Sequence, residues 1–282
     1  MPHGSFYMYR RIAPLFLGLI VFGSPASAPV AAKPPENRPE IEVTGDWGGG
    51  SREDVTKVLQ SVADQLLAHC PDRKLAKIIV SPSDDVPISL YKKGPNGEYR
   101  VQLSARETYW AQYAFQFAHE MGHILCNYDR RKAGVNLWFE ECLCDTSSMF
   151  VLQKLKPAWE QEPPYPNWKG FAPAFAKYRD NLLKPDDRRL ADGVTLPAWL
   201  KDNLIGMTKE RELTARSKLV SGYLVPLFDE HPEGWQTLAW INLGEQDRDA
   251  DFATFLQGWH DRLPEKHRPF VEKIQTLSGH VR

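Results

Sequence analysis

Neither sign of charge prevails in this chain. Its 35 Lys and Arg stand against 36 Asp and Glu, a formal net charge of -1, which leaves no electrostatic footprint for nucleic acid or an anionic membrane. Long apolar runs are missing too. The most apolar stretch, Ile12 to Gly23, is about a dozen residues, against the ~20 that cross a bilayer as a helix. There is no internal repeat and no coiled-coil heptad pattern. Cysteine is confined to Cys70, Cys126, Cys142 and Cys144, and the closing C-x-C lacks the spacing and partners of a structural zinc site. What remains is a 282-residue chain of ordinary globular composition, long enough to bury a sizeable core in one or two domains.

The N-terminal residues carry an address. Arg10 and Arg11 form a positive region, Ile12 to Gly23 an apolar one, and Ser24-Pro25-Ala26-Ser27-Ala28 the small-x-small pattern of a cleavage site. Residues 1–28 read as a signal peptide, with no cysteine behind them for a lipid anchor. The expected location is secreted or periplasmic, in an oxidising compartment, with no membrane span after cleavage. Residues 29–40 read as a Pro-rich tether.

Beyond Ile41 the periodicity predicts strands at Ile41–Thr44, Ala76–Val80, Val86–Tyr91 and Tyr99–Leu103, with a helix over Asp54–Ala68 between the first two. Helices follow over Trp110–Leu125 and Leu137–Leu155. The Pro- and Trp-containing segment from Pro157 to Pro173 reads as an ordered loop or a boundary. Further helices are expected at Ala174–Leu183, Leu196–Leu204, Glu210–Phe228, Trp235–Leu243 and Phe252–Leu263. The expected class is α+β: a small N-terminal α/β lobe with a mixed sheet, two central helices, and a helical C-terminal lobe. The lobes are expected to divide into residues 41–156 and 157–282. Trp199, Trp235, Trp240 and Trp259 read as core packing of the second lobe.

The chemistry lies on the first central helix, in His119-Glu120-Met121-Gly122-His123. Residues four apart on an α-helix differ by ~40° in direction and ~6 Å in height. His119 and His123 therefore share a face and can hold one Zn²⁺. Glu120 lies ~100° around, beside the metal, where a carboxylate can take a proton from an activated water. The apolar flank from Tyr113 to Ala118 makes the helix a buried one, a costly place for this triplet without a partner.

A catalytic zinc needs a third protein ligand, and the second helix offers Trp138-Phe139-Glu140-Glu141-Cys142-Leu143-Cys144-Asp145. Over about Trp110 to Phe150 the chain resembles the gluzincin branch of the zincin peptidases, the thermolysin-like and M1-aminopeptidase-like enzymes. The gap from His123 to Glu141 is close to that of the aminopeptidase group. The resemblance implies that Glu141 is the third ligand. It also implies that Asp145, four residues on, orients a metal-bound histidine, as in the thermolysin-like members. The chain departs from both groups in lacking an Asn before the Glu and in having cysteines around it. Asp129 is a rival ligand, since His119 to Asp129 reads H-E-x-x-H-x-x-C-x-x-D, but Cys126 stands where related metal sites use Gly. Glu140 and Asp145 are weaker rivals.

Cys142 and Cys144 are ~200° apart on a helix and poorly placed to bond each other. Cys126 is then expected to join one of them, stapling the two metal-bearing helices, with Cys70 taking the other. Tyr99–Leu103 is placed to be the strand that pairs with a substrate backbone, and Tyr223 or His231 to stabilise a transition state. The expected activity is zinc-dependent peptide-bond hydrolysis on a peptide or protein substrate, with Glu120 as general base. Two alternatives stay open: an exported zinc hydrolase acting on a non-peptide amide such as cell wall, and a non-catalytic zincin-like binding module.

Overall fold

The computed structural model describes residues 35–130, 134–184 and 188–280. The expected signal peptide and residues 29–34 of the tether lie outside them. The rest of the tether is held in place. Asn37 donates to the carbonyls of Cys70 and Arg73 at 2.6 and 3.0 Å, and Arg38 pairs with Asp64. Ordered structure thus begins ahead of Ile41.

Four strands, β1 (Ile41–Val43), β2 (Ile78–Pro82), β3 (Ile88–Leu90) and β4 (Tyr99–Leu103), form one mixed sheet in the order β1-β2-β4-β3. β1 and β4 both run parallel to β2, while β3 runs antiparallel to β4 with Ile88 opposite Gln102. The Gly94–Gly97 turn makes that reversal, and Gly97 takes φ +86°, which a residue with a Cβ adopts only under strain. β4 is thereby an interior strand with both edges paired. The expectation that it offers a free edge to substrate fails. Its buried Tyr99, Val101 and Leu103 give an alternation that interior and edge strands share. The outer strand on that side is β3.

The helix α1 (Arg52–Leu67) starts where Ser51 accepts from the Asp54 N–H, and it buries Val55, Val58, Leu59, Val62 and Leu66. The two central helices are α2 (Trp110–Leu125) and α3 (Leu137–Gln161). α2 buries most of its circumference, including Tyr113, Phe117, Met121 and Ile124, as the apolar flank of the motif requires. α3 continues past Leu155 and through Pro157, so the expected lobe boundary falls inside a helix. Trp168 stacks between Trp110 at the start of α2 and Trp159 near the end of α3, with centroids 5.0 and 5.4 Å away. The described residues pack as one unit.

The C-terminal part is helical: α4 (Ala172–Leu183), α5 (Leu196–Met207), α6 (Ala215–Glu230), α7 (Phe252–Arg262) and α8 (Arg268–Ser278). Two details differ from expectation. Trp235 sits in a 3₁₀ segment over Pro232–Trp240 instead of an α-helix, and α8 was not expected. Trp235 and Trp259 are fully buried, with Trp199 and Trp240 packed against the same core. Among the described residues no helix is long and apolar enough to cross a membrane.

α2 and α3 meet on small residues. A Cβ on Gly122 would stand 2.8 Å from the Cα of Cys144 and 3.0 Å from its Sγ. Close by, Ser147 donates to the carbonyl of Ala118 and Ser148 to that of Phe115 at 2.8 Å. Side chains this short reach another helix's backbone only when the two axes are close. Gly122→Ala should push α3 away from α2 against backbone atoms, lowering stability by about 1–3 kcal/mol. Chemical denaturation would measure it, and a variant as stable as the parent would show the contact to be loose.

Candidate metal centre

The close approach sets the metal-type residues facing one another. His119 Nε2 lies 3.2 Å from Oε2 of Glu141, and His123 Nε2 lies 3.6 Å from Oε1 of the same carboxylate. The two imidazoles stand edge to face with centroids 5.1 Å apart. The other ring nitrogen of His123, Nδ1, is 2.7 Å from Oε1 of Glu140. A carboxylate oxygen accepts, so the ring proton stands on Nδ1 there. Oε2 of Glu140 in turn accepts from the side-chain amide of Asn242 at 2.7 Å.

Glu120 is buried at 2 % exposure, and its Oε2 has no hydrogen-bond partner in the structure. A buried carboxylate oxygen without a partner is costly and uncommon. The Ser89 hydroxyl of β3 holds the Glu120 backbone carbonyl at 3.3 Å, bringing the outer strand against the motif. Tyr128 presents its ring to His123 with centroids 6.4 Å apart, its hydroxyl donating to the Leu90 carbonyl.

The electrostatics follow from this crowding. Burial draws the His123 pKa down, but Glu141, Glu140 and Glu120 outweigh it, and without a metal the imidazole is pushed up to about 10. Burial works against the Glu141 carboxylate, yet His123 and His119 hold it below its ordinary value. His123 and Glu141 thus each favour the charged form of the other.

The two Glu141 contacts have the spacing that zinc ligands keep. Ligand atoms ~2.1 Å from a tetrahedral zinc are about 3.4 Å from one another, and the separations of 3.2 and 3.6 Å bracket that value. Cys144 is a further candidate that sequence reasoning left out. Its Sγ and one nitrogen from each of His119 and His123 lie within 4.8 Å of one another. Burial raises the Cys144 thiol well above its usual pKa, so it gives up its proton less readily than Glu141, which is already charged.

Other expected residues have other partners. Asp145 does not reach a histidine. Its carboxylate is fully buried against Arg188, at 2.6 Å to Nη1 and 3.3 Å to Nη2. Glu140 instead orients His123, because the next residue along α3 meets α2 while the one a turn later faces elsewhere. Asp129 pairs with Lys93 at 2.7 Å. The Tyr223 hydroxyl accepts from the Leu190 N–H, and His231 pairs with Glu233. All four cysteines are buried thiols, so the expected staple is not formed in this structure. Cys142 donates to the Trp138 carbonyl of its own helix and faces Ser217 of α6, whereas Cys70 lies beside Arg73. The two are turned to different neighbours. Nothing in the local sequence around Asn242 points to the centre, since the chain brings it there from more than a hundred positions away.

No family model, no curated protein and no solved structure matches this chain. The geometry of the centre therefore carries the functional reading. Arg188→Met would strand Asp145 as a buried charge and should cost about 3–5 kcal/mol of stability. Metal content, read on the folded variant, should stay at the parent level; a matching loss of metal would return Asp145 to the centre.

Proposed function

We propose that this chain is an exported zinc-dependent peptidase of zincin-like type, with zinc held by His119, His123 and Glu141. One observation carries the reading: two imidazole Nε2 atoms face the two oxygens of a single carboxylate, beside a buried Glu120 whose Oε2 has no hydrogen-bond partner. Bound there, zinc would supply a Lewis acid that activates water and polarises the scissile carbonyl. Glu120 accepts the proton of the attacking water at its carboxylate and returns it to the leaving amine as the C–N bond breaks. His123 is held in one tautomer by Glu140, leaving its Nε2 lone pair to the metal. β3, outermost in the sheet and tied to Glu120 through Ser89, is the strand along which an extended peptide would lie. That placement beside the general base favours a peptide over other amides.

Metal analysis of the purified protein with four variants tests this reading. Glu120→Gln should keep one zinc per chain and lose peptidase activity by a factor of at least about 100. Glu141→Ala should lose most of the zinc, while Asp129→Ala and Cys144→Ser keep it. Zinc retained in Glu141→Ala but lost in Cys144→Ser would make the thiol the third ligand. Activity confined to cell-wall amides, or absent from a zinc-loaded protein over a broad peptide library, would replace peptide hydrolysis by one of the other two readings.

A further inference from the structure

We infer that Asn242 is a positioning residue of the metal centre, acting from the C-terminal part of the chain through Glu140 onto His123; the inference rests on the zinc reading above. Asn242 follows the 3₁₀ segment Pro232–Trp240, is 3 % exposed and takes φ +62°. Left-handed backbone suits Gly and, among residues with a Cβ, Asn and Asp. Its Nδ2 donates to the Cys126 carbonyl at 2.9 Å and to Glu140 Oε2 at 2.7 Å. Both partners can only accept, which settles the orientation of the amide, and both amide hydrogens are spent. Oδ1 is left buried without a hydrogen-bond partner.

The two acceptors are telling. The Cys126 carbonyl belongs to the residue that caps α2, among the carbonyls a helix end leaves without an internal partner. Glu140 Oε1 accepts from Nδ1 of His123, the last metal-type residue on that helix. One amide thus fixes the end of the helix and the carboxylate that sets the tautomer of its second histidine. A relay runs from Asn242 Nδ2 to Glu140, to His123 Nδ1, and across the ring to the Nε2 that faces Glu141.

A second asparagine supplies the control. Asn127, at φ +57°, reaches the opposite way. Its Nδ2 donates to the carbonyls of Leu238, Ala239 and Ile241 at 3.0–3.3 Å, and its Oδ1 accepts from Arg73 at 2.6 Å. Asn127 and Asn242 tie the same two segments together, but only Asn242 touches the carboxylate on His123. A purely structural tie would make them equivalent; positioning of the histidine would not.

Glycine at either position keeps the left-handed backbone and deletes the amide, so Asn242→Gly and Asn127→Gly are the comparison. Zinc affinity is measured by chelator competition, with circular dichroism and thermal melting as the check on folding. The Nδ1 proton of His123 is followed by ¹⁵N-resolved NMR in the metal-free protein. Asn242→Gly should bind zinc about 10–100-fold more weakly and lose the hydrogen-bonded Nδ1 signal. Asn127→Gly should melt earlier yet stay within about threefold of the parent in zinc affinity and keep the signal. Equal zinc affinity in Asn242→Gly and the parent, or equal losses in both variants, overturns the inference. If the parent binds no zinc, the zinc reading fails instead, and the Nδ1 signal alone decides whether Asn242 positions His123.

Discussion

Helices α2 and α3 bring one metal-type cluster together because their closest contact is made by a glycine, a thiol and two hydroxyls. Gly122, Cys144, Ser147 and Ser148 form that contact. A small-residue interface lets two buried helices approach closely, and the serines then bond the neighbouring helix's carbonyls as well as that of Cys144 on their own. Every distance in the centre depends on this. His119 and His123 flank Gly122 on α2, while Glu140 and Glu141 precede Cys144 on α3. A wider crossing would leave each carboxylate short of its imidazole and strand charges in a dry interior.

That dryness is the second constraint. The centre gathers Glu120, Glu140 and Glu141 around two imidazoles, with Glu120 and Glu140 nearly free of solvent and the other three only partly exposed. Under the zinc proposal a cation would sit among these carboxylates and imidazoles. It would replace protons on the imidazoles and offset negative charge on the carboxylates. The pair Asp145–Arg188, fully buried a turn further along α3, is neutral on its own and needs no such help. The two sites share a helix and solve the same electrostatic problem differently.

Much of this was legible in residue order. The apolar periodicity that predicts α2 over Trp110–Leu125 agrees with the observed helix end to end, since a helix buried all round leaves few polar positions to blur its limits. The α+β class, the mixed sheet and the facing of Glu141 toward both histidines also agree. What could not be read is what each face meets. Period-two alternation places Tyr99, Val101 and Leu103 on one side of a strand, yet says nothing of which strand lies at the edge. A 3₁₀ segment and an α-helix show similar apolar density over nine residues, hence the difference at Pro232–Trp240. Cysteine positions along a helix give angles but not the identity of the neighbour, and Cys142 turned out to face α6.

The exchange of roles between Asp145 and Glu140 shows how a helix can mislead even when its phase is right. Asp145 stands within ~40° of Glu141, but it is turned ~100° from Cys144, the residue that meets Gly122 of α2. It therefore leaves the α2 face and meets Arg188 instead. Glu140 is turned ~100° from Glu141 but only ~40° from Cys144, so it stays on the α2 face and reaches Nδ1 of His123. The residue beside Glu141 is therefore the orienting partner of His123 here, and its second oxygen is held by an anchor of its own. The chain provides one from outside both helices, in the amide of Asn242, so the C-terminal part becomes a component of the centre without contributing a ligand to it.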